Sequence, residues 1–380
     1  MTSRLYYDDS FLLGFRARVV GHASWNGAPS VVLDRTAFYP ESGGQMADRG
    51  LLGGTAVVDV QVDDAGVVHH VLGGPLPAVG DEVDATIDRE RRRVHMALHT
   101  GQHMLSRALL DVAGGETVSS RLGETACTID LDLAKMDERD VARAEDLTNA
   151  VIDDDVTVRA YFPAPGELAA LPLRRAPKVE DNVRVVQIGE FDVSPCGGTH
   201  CLRSGQVGLL RIGNVERYKG KVRVTFAAGR RARRELGELA DVLTGLGREL
   251  TCGPGEVPTA LAKLRRELAE SREALGQARA SVAGAAAAAL LAGDADPIVR
   301  VFDDLPIEGV RMVAKRVTEA GRVAVLGAAG PDGIHVIVAR PARSTFDCGA
   351  HLRRLAAAAG GRGGGSPERA EGRLPLGAKI

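Results

Sequence analysis

Two short clusters of metal-binding side chains stand far apart in the chain, His99-Thr-Gly-Gln-His103 and Cys196-Gly-Gly-Thr-His200. Any fold that joins them must bring a late loop back onto an early helix. On a helix the two histidines of the first cluster lie four apart on one face, so both imidazoles reach one ion. The glycines after Cys196 let a loop carry sulfur and imidazole to the same point. Three nitrogens and one thiolate suit Zn²⁺, whereas magnesium and calcium want carboxylates. One zinc per chain is therefore expected on His99, His103, Cys196 and His200. A zinc protease is not indicated, because Thr100, Gly101 and Gln102 supply no glutamate base between the histidines.

Four protein ligands ordinarily mark a structural zinc, while a catalytic zinc keeps a place for water or substrate. Two arrangements stay open at this point. Either His200 or His99 yields its position, or the metal orients substrate while a neighbouring group activates water. Asp192, four residues before Cys196, reads as an acceptor for a ligand imidazole, and equally as a surface carboxylate or loop cap.

The rest of the chain sets the frame. At 380 residues it has room for two or three domains. Its 44% hydrophobic and 26% charged residues are those of a globular protein, neither membrane-bound nor disordered. The first residues lack the positive charge and apolar core of a secretory peptide, and no later stretch reads as long and apolar enough to span a bilayer, so the cytoplasm and no membrane partner are expected. Five scattered cysteines, an odd number, read as metal ligands or buried thiols instead of disulfides. A net charge of −2 argues against an overall polyanion-binding surface but permits local basic stripes. The runs Arg91 to Arg93, Arg174 and Arg175, Arg230 to Arg234, and Arg353 and Arg354 are read first as solvated charge.

Hydrophobic patterning divides the chain into an α+β multidomain order. Residues 1–92 carry short β-branched runs (Ala17 to Val20, Val31 to Leu33, Ala56 to Val62, Val67 to Val71) between turn residues, which predict a small β-barrel. Residues 93–232 form the α+β zinc-binding domain, with a helix over His99 to Val112. Residues 233–293 read as a helical, coiled-coil-like arm broken at Gly253, Pro254 and Gly255, with Leu261, Leu268, Leu275 and Val282 at seven-residue intervals. That stripe serves a homodimer, for which the C-terminal domain is the other candidate surface, or packs on its own partner helix. Residues 294–380 alternate strands (Arg322 to Gly327, Ile334 to Ala339) with a helix near Ala350 to Ala359, an α/β pattern.

His99-Thr-Gly-Gln-His103-Met-Leu, Cys196-Gly-Gly-Thr-His200 and Thr36-Ala-Phe-Tyr-Pro-Glu-Ser-Gly-Gly-Gln45 together resemble the editing domain of alanyl-tRNA synthetases and its freestanding relatives. Val79-Gly-Asp-Glu-Val83 ahead of Asp88 follows the same order, and Gly360-Gly-Arg-Gly-Gly-Gly-Ser-Pro-Glu-Arg-Ala-Glu-Gly372 is similar to the C-terminal domain of those synthetases. The resemblance implies the long freestanding form, without an ATP-dependent aminoacylation core, acting on tRNA(Ala) mischarged with serine or glycine.

A pocket built for alanine excludes neither glycine nor, very strongly, serine, so a second hydrolytic sieve has a purpose. The resemblance makes Thr36 the threonine that senses serine. Gly43, Gly44 and Gln45 would let backbone approach the aminoacyl adenosine, or they are simply a hairpin turn. Ser119 and Ser120 stand where the family often has bulkier residues, which bears on serine against glycine preference. Arg362, Gly363, Gly364 and Gly365 are the expected tRNA-backbone contact, with a flexible linker as the plain alternative. Two other functions are weighed against serine removal from tRNA(Ala): a tRNA-binding protein with a structural zinc, and an editor of Ser-tRNA(Thr), whose synthetase shares the His and Cys-x-x-x-His layout.

Overall fold

The computed structural model describes residues 2–177 and 182–380. It divides into two compact units, one reaching to Val242 and one spanning Leu243–Ile380.

In the first unit, six strands pair in the order Gly14–Trp25, Ala28–Leu33, Val68–Leu72, Thr55–Val62, Gly50–Leu52 and Glu82–Ile87, and the last pairs back with the first, so the sheet closes on itself. Alternate residues of these strands, among them Val31, Leu33, Leu52, Val60 and Ile87, fill its interior. His70 is buried in the same interior, and its bonds define its proton. Nδ1 stands 3.2 Å from the Val31 carbonyl, which only accepts, so Nδ1 carries the hydrogen. Nε2 then accepts from the Thr36 hydroxyl at 2.8 Å, while Thr36 Oγ1 accepts from the Phe38 amide.

Burial pushes His70 down to about 4. An unfolded histidine titrates near 6.5, so between those values the unfolded chain binds the extra proton. Stability is therefore full above about pH 6.5 and falls as the pH drops toward 4, by about 3 kcal/mol for this group. Urea unfolding followed by the fluorescence of Trp25, the single tryptophan, is expected to show this loss between pH 7 and pH 4.5. A His70→Gln variant, which cannot take the proton, should show a flatter pH profile; an unchanged profile would sink the assignment.

Helix α1 (Arg89–Ala113) begins ten residues before the span that apolar periodicity marked. Asp88 caps it by accepting from the amides of Glu90 and Arg91, and Gly114 in the left-handed conformation ends it. The early turns escaped periodicity because they are rich in arginine, and Arg92 is inside. Its guanidinium is fully buried against Asp48 at 2.5 Å and also donates to the carbonyls of Ala37 and Ser10. Asp48 in turn accepts from the Tyr39 amide. This group ties α1 to the closed sheet. The reading of Arg91 to Arg93 as solvated charge is thus corrected at Arg92.

Downstream, Leu98, Met104, Leu105 and Leu109 of α1 share one core with Ile129 and Val224. These last two lie in a four-stranded sheet ordered Leu210–Tyr218, Lys221–Ala228, Cys127–Leu131, Thr117–Leu122. Helix α2 (Glu138–Asp153) packs along α1. A three-stranded sheet of Val158–Tyr161, Val185–Ile188 and Asp192–Pro195 delivers the chain to Cys196. Helix α3 (Gly229–Glu249) follows, and α4 (Val257–Leu291) belongs to the second unit.

On α4 the residues Leu261, Leu264, Leu268, Leu275 and Val282 are exposed, while Ala283 and Ala287 near its end pack with Val310, Val313 and Val317 of α5 (Ile307–Glu319). The bilayer expectation is corrected here: Pro254–Leu291 is long and apolar enough, by length and composition alone, to cross a membrane. An alanine run near its end raises its mean hydropathy, and alanine contributes length and weak apolarity without bulky side chains.

The C-terminal sheet is ordered Ile298–Phe302, Ala324–Gly330, Gly333–Ala339, Arg369–Leu374, Arg362–Gly365. Only its first pair is parallel, which departs from the α/β pattern. The tight turn between Gly330 and Gly333 forces the next pair antiparallel. A second correction concerns the glycine-rich segment. Arg362–Gly365 is an edge strand hydrogen-bonded to Arg369–Leu374, not a loose linker or loop. Its glycines answer to packing: a Cβ on Gly363 would press on Gly372 and on Leu352 of α6 (Cys348–Ala359).

Candidate metal centre

His99 and His103 project from one face of α1, and both are almost completely buried. The loop after Asp192–Pro195 lays Cys196 and His200 against them. The four ligand atoms all lie within 4.8 Å of one another. Cys196 Sγ stands 3.4 Å from His99 Nε2 and 3.3 Å from His200 Nε2. Bond lengths of about 2.0 Å to nitrogen and 2.3 Å to sulfur place tetrahedral ligands about 3.5 Å apart. The donor set and its spacing therefore fit zinc.

What orients each imidazole is the larger part of the design. His99 Nδ1 donates to Gln45 Oε1 at 2.7 Å. The amide is held the right way round because that oxygen also accepts from the Thr199 backbone N–H, while Gln45 Nε2 donates to Thr199 Oγ1. His103 Nδ1 lies 3.3 Å from Asp192 Oδ2. His200 Nδ1 lies 3.2 Å from Thr100 Oγ1, which accepts from the Cys201 amide. Each ring thus has Nδ1 engaged and Nε2 free for a metal.

The electrostatics agree with a thiolate ligand. Burial by itself would raise the Cys196 thiol, but the surrounding imidazoles, His99 foremost, hold it well below the ordinary cysteine value. Burial pushes His200 down to about 3, which keeps its ring neutral and its lone pair available. Asp192 is held below the usual carboxylate range despite its burial, through the hydrogen bond with His103 and the charge of Arg174.

Among the residues singled out from sequence, Gln45 and Asp192 meet the four ligand residues directly. Ser42 to Gln45 is a tight turn with reciprocal backbone bonds, and Gly43 and Gly44 have positive φ of 58° and 88°. A Cβ on Gly44 would overlap the Ser120 carbonyl, so this turn sits hard against the strand Thr117–Leu122 and aims Gln45 inward. Thr36 lies in the short strand Arg35–Thr36, which pairs with Ser3–Arg4, and its buried hydroxyl is committed to His70 and Phe38. Arg362, Gly363, Gly364 and Gly365 belong to the second unit.

Sequence reasoning missed several supports. Arg184, buried, donates to the carbonyls of Cys196, Gly198 and Tyr7, clamping the ligand loop, and its Nε has no partner among the described residues. Arg174 donates to Asp192 Oδ1 at 2.6 Å with its side chain almost entirely buried, which corrects the solvated reading at Arg174, while Arg175 is exposed. Gly198 is required because a Cβ there would collide with the His99 ring. Thr100 was inside the motif and legible; Arg174 and Arg184 had no local signal, since only the fold brings them to the loop.

Beside the buried three-histidine, one-cysteine centre, two family models of aminoacyl-tRNA synthetase domains match parts of the chain. Residues 13–91 match the family described as tRNA synthetases class II (A), and residues 183–225 match the threonyl and alanyl tRNA synthetase second additional domain. The second match takes in Cys196 and His200; His99 and His103 fall between the two.

More particularly, the chain is similar to alanine–tRNA ligases and to an alanyl-tRNA editing protein. It is 33% identical to an alanine–tRNA ligase of Halobacterium salinarum over 94% of this chain and 41% of that protein. It is 31% identical to the alanine–tRNA ligase of Archaeoglobus fulgidus over 98% of this chain and 42% of the ligase. With the alanyl-tRNA editing protein AlaX-L of Pyrococcus horikoshii it shares 33% identity over 63% of this chain and 61% of that protein. The chain therefore spans about two fifths of the ligases and three fifths of the editing protein.

Proposed function

We propose that this protein hydrolyses the ester of tRNA(Ala) mischarged with serine, with glycine as the second substrate, using zinc held by His99, His103, Cys196 and His200. The observation that carries the reading is the convergence of three oriented imidazoles and one low-pKa thiolate in a chain related to an alanyl-tRNA editing protein. A zinc ion there supplies a Lewis acid for a carbonyl oxygen or for water.

The chain's own residues do the rest. Gln45, Asp192 and Thr100 hold the imidazoles in one tautomer, and Arg184 keeps the Cys196 loop from drifting. Hydrolysis adds water across the ester, leaving free amino acid and a tRNA 3′ end with its hydroxyl restored, so no ATP is consumed. Thr36 is the proposed serine sensor; to meet a substrate its hydroxyl would have to exchange the His70 bond. The cytoplasm is the compartment proposed with this activity, and the exposed leucine stripe of α4 supports a homodimer through that helix.

A second reading has an observation of its own. Four protein donors already complete a tetrahedron, which favours a structural zinc in a tRNA-binding protein without hydrolysis. Ser-tRNA(Thr) ranks below both, because the relatives that match most of this chain are alanine–tRNA ligases. Deacylation of Ser-, Gly- and Ala-tRNA(Ala) and of Ser-tRNA(Thr) by the purified chain separates the three. Serine release from tRNA(Ala) that spares alanine and stops with a chelator is the expected result. No release above the uncatalysed rate from a zinc-loaded protein would leave the binding reading.

A further inference from the structure

Two arginine runs remote in sequence meet in one cleft of the first unit. Arg89 and Arg93 come from the first turns of α1, and Arg230 and Arg233 from the first turns of α3. The cleft has a volume of ≈520 Å³, with Val94, Ala97, Val207 and the loop Gly205 to Gly208 completing its walls. Its one acidic group, Glu90, pairs with Arg230 at 2.7 Å. Among the described residues, Arg89, Arg93 and Arg233 have no carboxylate partner, and Arg93 lies over the Phe11 ring at 5.6 Å. Three uncompensated guanidinium groups in a concave site larger than one phosphate call for a polyanion.

We propose that this cleft holds phosphodiester groups of an RNA backbone. The arginines are exposed and spread over two helices instead of converging on a buried point, which suits a chain of phosphates better than a single anion. Helix geometry also gives the cleft a division of labour. Arg89, Arg93 and Ala97 follow one another at intervals of four and share a face of α1, whereas His99 and His103 are offset from Ala97 by about 160° and about 120° around the helix. The cleft thus opens on a different face of α1 from the metal ligands and nearer the N-terminus of the helix. It grips RNA away from the reacting ester, and it governs affinity instead of the chemical step. This deepens the proposed function and rests on tRNA being the substrate.

The test uses the full chain with arginines 89, 93 and 233 all replaced, as R89A/R93A/R233A and as R89K/R93K/R233K. Binding of uncharged tRNA(Ala) is measured across a KCl series, alongside kcat and KM for serine release. The alanine variant should bind at least about tenfold more weakly at low salt, with the slope of log K on log [KCl] reduced by between about 2 and 3. KM should rise while kcat holds, and the lysine variant should keep most of the affinity and slope. Unchanged affinity and slope in the alanine variant, or equal losses in the lysine variant, overturn the proposal. Titration with inorganic phosphate is the second arm: saturable binding lost in the alanine variant while tRNA affinity stays intact would assign the cleft to free phosphate and overturn the RNA assignment. If wild-type protein spares Ser-tRNA(Ala) yet shows the arginine-dependent salt slope, the hydrolase reading fails and the cleft stands.

Discussion

Cys196→Ala is expected to leave the protein without stoichiometric zinc and to slow serine release by more than about a hundredfold, since even outer-shell changes around zinc cost about 10- to 100-fold. The thiolate is the only anionic ligand among the four, and its imidazole neighbours already stabilise it well below the ordinary cysteine value. Alanine removes that charge and leaves three imidazoles. The fold should survive, because Arg184 holds this loop through backbone carbonyls, not through the sulfur. Asp192→Asn is the graded companion: it keeps an oxygen near His103 but loses the charge that also engages Arg174, so a smaller loss, within that 10- to 100-fold range, is expected. Zinc per chain by atomic absorption, read beside deacylation, checks both. Full activity in a metal-free Cys196→Ala protein would remove zinc from the chemistry altogether.

The second large effect is on stability. Asp48→Ala strands the buried Arg92 guanidinium, which has no access to water to compensate. Breaking a buried pair from one side costs about 3–5 kcal/mol, and here the Tyr39 amide also loses its acceptor. A Asp48→Leu, Arg92→Met double substitution should cost less than Asp48→Ala, because no unpaired charge remains, though the Ala37 and Ser10 carbonyls lose their donor. Urea unfolding read by Trp25 fluorescence, which reports the first unit, gives both values. A single variant within about 1 kcal/mol of wild type would mean that water or a shifted side chain reaches Arg92.

The four ligand residues were legible because their chemistry is local: four-residue spacing on a helix and flexible glycines in a loop are properties of short segments. The strand runs of the first ninety residues were legible for the same reason, since β-branched alternation needs no partner to be seen. The start of α1 was not, because its inward-facing residue is an arginine, and a buried charge looks like a solvated one until its partner is found. Similarly, the C-terminal glycines suggested a loose loop, whereas pairing with Arg369–Leu374 makes them a strand and the close approach of α6 requires glycine at 363.

What the sequence by itself determined is thus the donor set, the elements that carry it and the family resemblance, all of which reside in residue type and short-range spacing. Only the tertiary structure decided that Gln45 and Asp192 orient the ligand rings, that Arg92, Arg174 and Arg184 are structural cations, and that two arginine runs form one cleft. The physical reason is that burial and pairing of a polar side chain depend on partners supplied from remote parts of the chain, and no local pattern encodes which partner the fold will bring.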